Sequence, residues 1–308
     1  MKRKRENFIN IVTVAVSILS AVSVLFSLYV ASAKPDALSP AGKEGDRAAA
    51  ALRYMPVYTY LEKAAANGSF EIDAAHGGEG YVAVTARSGQ RVKLRIISPR
   101  GTEIVYNVPN TGEPAFYPLS DGSGSYLIHL LEQVPDAPGE NSYTRVLEES
   151  CDAALFDEFQ PFLRPSSYVW FTGYSSCVNA AAALCAGESD DDRKIELITA
   201  YVAEALRYDE ALAEREDLSF IRDPDQILAR GTGLCLDYAV LTAAMLRSQG
   251  IPTKVVYGRM DGAESVHAWN MAYSSSRGWA RLDVTSADSG VAESFIADDS
   301  HYADAGWY

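Results

Sequence analysis

Residues 230–250 read Arg-Gly-Thr-Gly-Leu-Cys-Leu-Asp-Tyr-Ala-Val-Leu-Thr-Ala-Ala-Met-Leu-Arg-Ser-Gln-Gly, and this segment constrains the fold more than any other. Gly231 and Gly233 permit a tight turn and a close backbone approach. From Cys235 onward the spacing predicts a helix, with Leu236, Val240 and Ala243 on one face and Ala239, Thr242 and Leu246 on another. Gly250 stands where a C-terminal cap belongs, and Pro252 cannot continue the helix. Cys235 therefore belongs to the first helical turn. Free backbone N–H groups and the positive dipole end favour a thiolate there, and the same N–H groups can hold an oxyanion on the adjacent carbon.

Two strands follow. Ser265–Met271 carries His267, 32 positions after the cysteine, and Gly278–Thr285 carries Asp283, 16 positions after the histidine. A hairpin between neighbouring strands brings such residues side by side. A carboxylate on one ring nitrogen fixes the imidazole tautomer and supports the imidazolium, leaving the other nitrogen for the thiol. Nucleophile, base and orienting acid are then complete. Singly, each residue would be expected to be a core cysteine, a satisfied core histidine or a turn aspartate. Their joint placement on a helix start and two strands favours chemistry.

The rest of the chain sets the context. Of 308 residues, 48% are hydrophobic and 22% charged, close to an ordinary globular protein. The net charge of -14 opposes binding to phosphate backbones and excludes nucleic acid as an expected partner. Lys2-Arg3-Lys4-Arg5 precedes a charge-free run from Phe8 to Ala33 that closes with Ala31-Ser32-Ala33. The small residues fit a cleaved secretory signal, and the run's length fits a membrane-anchoring hydrophobic helix. Either puts residues 34–308 outside the cytoplasm, secreted or tethered to the outer face of the cell membrane, with membrane contact only through this segment.

Residues 34–69 read as a spacer with one helix over Ala48–Ala66, stopped at Asn67-Gly68. Residues 70–148 hold short runs rich in β-branched and aromatic residues, including Tyr81–Thr85, Val92–Ile96 and Tyr126–Leu130, separated by glycine-rich turns. They predict a small antiparallel β-sandwich that serves as a folding or positioning module, with His129 a surface histidine. Residues 149–308 form the third part, with helices expected over Val178–Ala186 and Arg193–Leu206. Cys177 and Cys185, on one helix, would lie about 12 Å apart, too far to bond. Any disulfide must use Cys151. Zinc is a poor reading, since no Cys-x-x-Cys pair and no histidine partner accompany these thiols. No Asp-x-Asp-x-Asp-Gly calcium loop is present, and Ser189–Asp192 and Asp298-Asp299 read as solvated faces.

Gly233-Leu234-Cys235-Leu236-Asp237-Tyr238-Ala239, His267-Ala268-Trp269, and Trp279 with Leu282-Asp283-Val284-Thr285 together resemble the transglutaminase-like superfamily. Upstream, Tyr201-Val202 and Tyr208-Asp209 resemble the family's helix before the cysteine, so the resemblance spans roughly residues 160–290. Val284 stands where many members have proline. The resemblance implies an α+β, papain-like core: a helix bearing Cys235 packed on an antiparallel sheet bearing His267 and Asp283. It assigns these three as nucleophile, base and orienting acid, and it requires no cofactor or metal. The whole arrangement is similar to that of exported bacterial proteins with a small β-domain ahead of such a core.

Such a triad attacks an amide or ester carbonyl and forms an acyl-enzyme. With water as acceptor the enzyme is a cysteine protease or amidase; with a lysine amine it is a protein-glutamine acyltransferase. The expected substrate is a protein or peptide, of the cell surface or its wall. The alternative is a catalytically silent surface module that keeps the fold for protein or cell-wall binding. Trp269 and Trp279 read as core residues that stand close enough to wall a cleft.

Overall fold

The computed structural model describes residues 65–66, 68–135, 142–213, 222–262, 265–286 and 299–308. The expected leader over 1–33, the spacer and most of the helix expected over Ala48–Ala66 lie outside these residues. The last two positions of that helix, Ala65–Ala66, are instead a short strand, β1, paired antiparallel with β2 (Phe70–Asp73). Among the described residues no helix is long and apolar enough to cross a membrane.

The protein is a mixture of antiparallel sheets and a few helices. Strands β1, β2, β3 (Tyr81–Ala86) and β6 (Ala115–Pro118) form one four-stranded sheet in the order β1-β2-β3-β6. A second runs β5-β4-β7-β8, from β4 (Val92–Ile97), β5 (Glu103–Val108), β7 (Gly124–Gln133) and β8 (Tyr143–Ala153). Both sheets feed one apolar cluster. Val92, Leu94 and Ile96 point inward from β4 while Lys93 and Arg95 point out, the period-two pattern of a half-buried strand. Strand β8 runs past residue 148, and its Cys151 and Ala153 belong to the same cluster.

His129 corrects the surface reading, being only 3% exposed. It does lie on the outer face of its sheet, but register sets Arg95 and Glu148 directly opposite it on the two flanking strands. Their long side chains close over the ring: Arg95 donates to Nδ1, and Glu148 lies 3.0 Å from Nε2. Burial and the Arg95 cation push the His129 pKa down.

Helices α1 (Ser176–Leu184), α2 (Asp191–Ala205), α3 (Glu210–Ala213), α4 (Pro224–Arg230) and α5 (Cys235–Ser248) precede a third sheet. That sheet is antiparallel in the order β13-β12-β11-β14, from β11 (Thr253–Met260), β12 (His267–Ser274), β13 (Gly278–Leu282) and β14 (Tyr302–Trp307). Helix α5 is the centre of the second core cluster and is buried from Asp237 to Ser248, not on selected faces as its spacing predicts. The sheet covers one side of it, through Ala268, Asn270 and Ala272 of β12, and helices α1, α2 and α4 cover the others. The acidic run before α2 is not simply a solvated face. Asp190 caps the helix by accepting the Arg193 N–H, buried Asp191 pairs with Lys194 at 3.2 Å, and Asp192 lies 3.2 Å from Arg277. All four thiols are free: Cys151, Cys177 and Cys185 are buried, and Cys235 is half-buried.

The two clusters meet at the C-terminal residues. Tyr308 stacks on Tyr168 at 4.2 Å and packs on Tyr106 and Tyr257 at 5.4 and 5.2 Å. The wholly buried Arg247 of α5 donates to the carbonyls of Thr253, Arg164 and Tyr308 at 2.8, 2.9 and 3.1 Å.

Candidate active site

The sulfur is positioned by local chain chemistry. Helix α4 ends on Gly231, whose φ of +68° is the left-handed cap conformation that glycine adopts freely. Residues β10 (Thr232–Gly233) then pair in parallel with β9 (Arg207–Tyr208). Gly233 leaves no room for a side chain, because a Cβ there would lie 2.5 Å from Cβ of Asp237. The carboxylate of Asp237, wholly buried in the first turn of α5, reaches back to accept the Leu234 N–H at 2.8 Å. Arg222 and Arg230 neutralise it at 3.2 and 3.4 Å. This turn delivers Cys235 as the first residue of α5, as the sequence predicts.

His267 opens β12, and Asp283 lies one residue beyond the end of β13 rather than within it. The β12–β13 hairpin registers Asn270 against Leu282, which carries Asp283 back toward the start of β12. Nε2 of His267 lies 2.8 Å from Oδ2 of Asp283, and the half-buried imidazole interacts electrostatically with Cys235. Since Nε2 faces the carboxylate, Nδ1 is the nitrogen left for sulfur. Burial works against a charged ring, but the hydrogen bonds to Asp283 and Cys235 and the negative charge on these groups outweigh it and raise the His267 pKa to about 9. The three residues read from the sequence thus converge. Tyr208, one strand away, also feels the sulfur: burial first, then the charge of Cys235 and Glu210, raise its phenol pKa.

Two neighbours, Asp237 and Tyr302, were not assigned roles by the sequence. Asp237 sits inside the quoted motif, and an acid at the third helical position is a capping signal that was there to read. Tyr302 of β14 donates its hydroxyl to Oδ2 of Asp283 at 2.9 Å; nothing near it in the sequence announces this. Trp269 is a core residue, 1% exposed, with its ring 5.8 Å from that of His267. Trp279 instead packs against Phe159, Phe162 and Tyr273, with the Lys254 ammonium 4.3 Å above its ring. Among the described residues no cluster of three or more His, Cys, Asp or Glu side chains is arranged to hold a metal ion.

A family model described as the transglutaminase-like superfamily matches residues 167–284, a stretch that contains Cys235, His267 and Asp283. These residues are therefore a transglutaminase-like domain. Among solved structures, the chain is similar to a candidate cysteine protease from Cytophaga hutchinsonii, with 14% identity over 80% of this chain and 90% of that one and a TM-score of 0.37. It is similar to LapG of Legionella pneumophila, with 14% identity over 42% of this chain and 68% of that one and a TM-score of 0.34. It is also similar to red sea bream transglutaminase, with 15% identity over 67% of this chain and 48% of that one and a TM-score of 0.31. No curated protein matches the chain.

Proposed function

We propose that the transglutaminase-like domain is a papain-like cysteine enzyme that forms a thioester from a protein or peptide amide and passes the acyl group to water or to an amine. The observation that carries this reading is the 2.8 Å contact of His267 with Asp283, with Cys235 near enough to help raise the pKa of the same ring. His267 holds the thiol's proton as an imidazolium while the sulfur attacks the carbonyl carbon. The tetrahedral oxyanion is held by N–H groups at the start of α5, and collapse breaks the C–N bond while His267 returns the proton to the leaving amine. In the second half, water or an amine attacks the thioester, His267 accepts its proton, and the thiol is regenerated. Asp283 stays ionised and holds the ring for both transfers.

The location belongs to the same proposal. The basic residues Lys2–Arg5 and the charge-free run Phe8–Ala33 support export of the rest of the chain, released or tethered, to substrates at the cell surface or its wall. The division of the chain at 33/34, 69/70 and 148/149, with the β-module over 70–148 as the positioning part, is a further part of the proposal.

The test is to incubate the full chain with a glutamine-rich protein, with and without a fluorescent primary amine, and to analyse the Cys235 peptide by mass spectrometry. An acyl adduct on Cys235 that is absent from His267→Ala supports the enzyme, and amine incorporation against peptide cleavage assigns the acceptor. No adduct across a panel of protein and peptide substrates contradicts it and favours a silent binding module.

A further inference from the structure

The same oxygen of Asp283 that faces His267 receives a second donor. Tyr302 opens β14, opposite Met260 in register, and its hydroxyl donates to Asp283 Oδ2 at 2.9 Å, beside the His267 Nε2 contact at 2.8 Å. The phenol is held in place. Its ring meets Trp269 edge-on at 5.0 Å, and the Arg281 guanidinium lies 4.9 Å from its centre, itself fixed by Asp304 at 2.7 Å. Trp269 in turn rests against the His267 ring. We propose that Tyr302 is a positioning residue of the triad, acting through Asp283 to orient His267 and to set how firmly the imidazole holds its proton.

The physical argument concerns competition for one carboxylate oxygen. A hydroxyl that donates to Oδ2 spreads the carboxylate charge and pins its rotation, so the carboxylate orients His267 while attracting its proton less strongly than a bare carboxylate would. The groups that bear on His267 come from every element around it: Asp283 after β13, Cys235 of α5 with Tyr208 of β9 beyond it, Tyr302 of β14, and the Arg281–Asp304 pair that bridges β13 and β14. Against the opposing effect of burial, Asp283 and Cys235 raise the ring's pKa to about 9. Removing the phenol oxygen takes one donor away from the oxygen that faces His267. The imidazolium should then persist to higher pH, even as the ring loses part of its orientation.

This inference rests on the reading of Cys235, His267 and Asp283 as a triad, and the experiment separates the two. The His267 ring is titrated by NMR in the full-length protein, its resonance assigned among the chain's 4 histidines by its loss in His267→Ala. Tyr302→Phe keeps the ring packing and is expected to move the His267 titration upward by about half a unit, the scale of one charged hydrogen bond shared between two donors. A 3-fluorotyrosine at 302, a stronger donor, is expected to move it downward. Unchanged titration in both variants, or a downward shift in Tyr302→Phe, overturns the role of Tyr302 while leaving the triad intact. If wild-type His267 titrates as an ordinary histidine and ignores Cys235→Ser, the triad itself fails, and Tyr302 with it.

Discussion

The Asp237 carboxylate accepts the Leu234 N–H at 2.8 Å, so the residue before the nucleophile is tied to the third residue of the helix that bears it. Arg222 and Arg230 hold the carboxylate from the other side. Asp237→Ala should leave that N–H without its cap and Arg222 without its buried partner, at a cost of about 3 kcal/mol, the scale for breaking a buried ion pair. Asp237→Asn keeps an acceptor and should cost less. Urea unfolding of the three proteins checks the order.

Gly233→Ala addresses the same turn by size alone. A Cβ at 233 would stand 2.5 Å from Asp237 Cβ, and the obstruction is the root of a buried side chain rather than a flexible tip. The turn must shift, with an expected loss of about 1–3 kcal/mol and slower Cys235 alkylation than in wild type. Alkylation at the wild-type rate in a stable Gly233→Ala protein would show that this turn does not position the sulfur.

The raised pKa of His267 has a signed consequence for stability. A group whose folded pKa, about 9, exceeds its unfolded value near 6.5 contributes stability that is complete below pH 6.5 and lost as pH rises through 9. The stability gap between wild type and His267→Ala should therefore narrow from pH 6 to pH 9.5, by about 3 kcal/mol at most. Denaturant unfolding at those two pH values measures it, and a gap that widens with pH would contradict the assignment.

Arg247 joins the helix that bears the nucleophile to the connecting segment and to β14. It is wholly buried and donates to the main-chain oxygens of Thr253, Arg164 and Tyr308. Arg247→Leu removes a buried donor from each of those oxygens, of which Tyr308's keeps the Val255 N–H, and should destabilise the protein by roughly 3 kcal/mol. Because Tyr308 is one of the three, the variant should also expose the aromatic cluster around Tyr106 and Tyr168, which near-ultraviolet circular dichroism reads directly.

The three residues proposed as a triad are legible in the sequence because each sits at a local signal: a glycine turn before a helix for Cys235, and short strands with turns between them for His267 and Asp283. The alternating runs of β4 and β7 were legible for the same reason. What remained hidden depends on register between distant strands. His129 reads as exposed until Arg95 and Glu148 are known to flank it, and Tyr302 has no neighbour in sequence that points to Asp283. The burial of every α5 residue from Asp237 to Ser248 was also hidden, because its alanines and polar residues imitate an amphipathic helix.

The central claim is that His267 activates Cys235, and the most direct measurement is the rate at which a thiol-directed alkylating probe modifies Cys235 in wild type and in His267→Ala, read on the Cys235 peptide by mass spectrometry. The expected result is fast labelling in wild type, slowed roughly tenfold or more in the variant, because the imidazole no longer supports the thiolate. Equal rates in the two folded proteins would contradict the account.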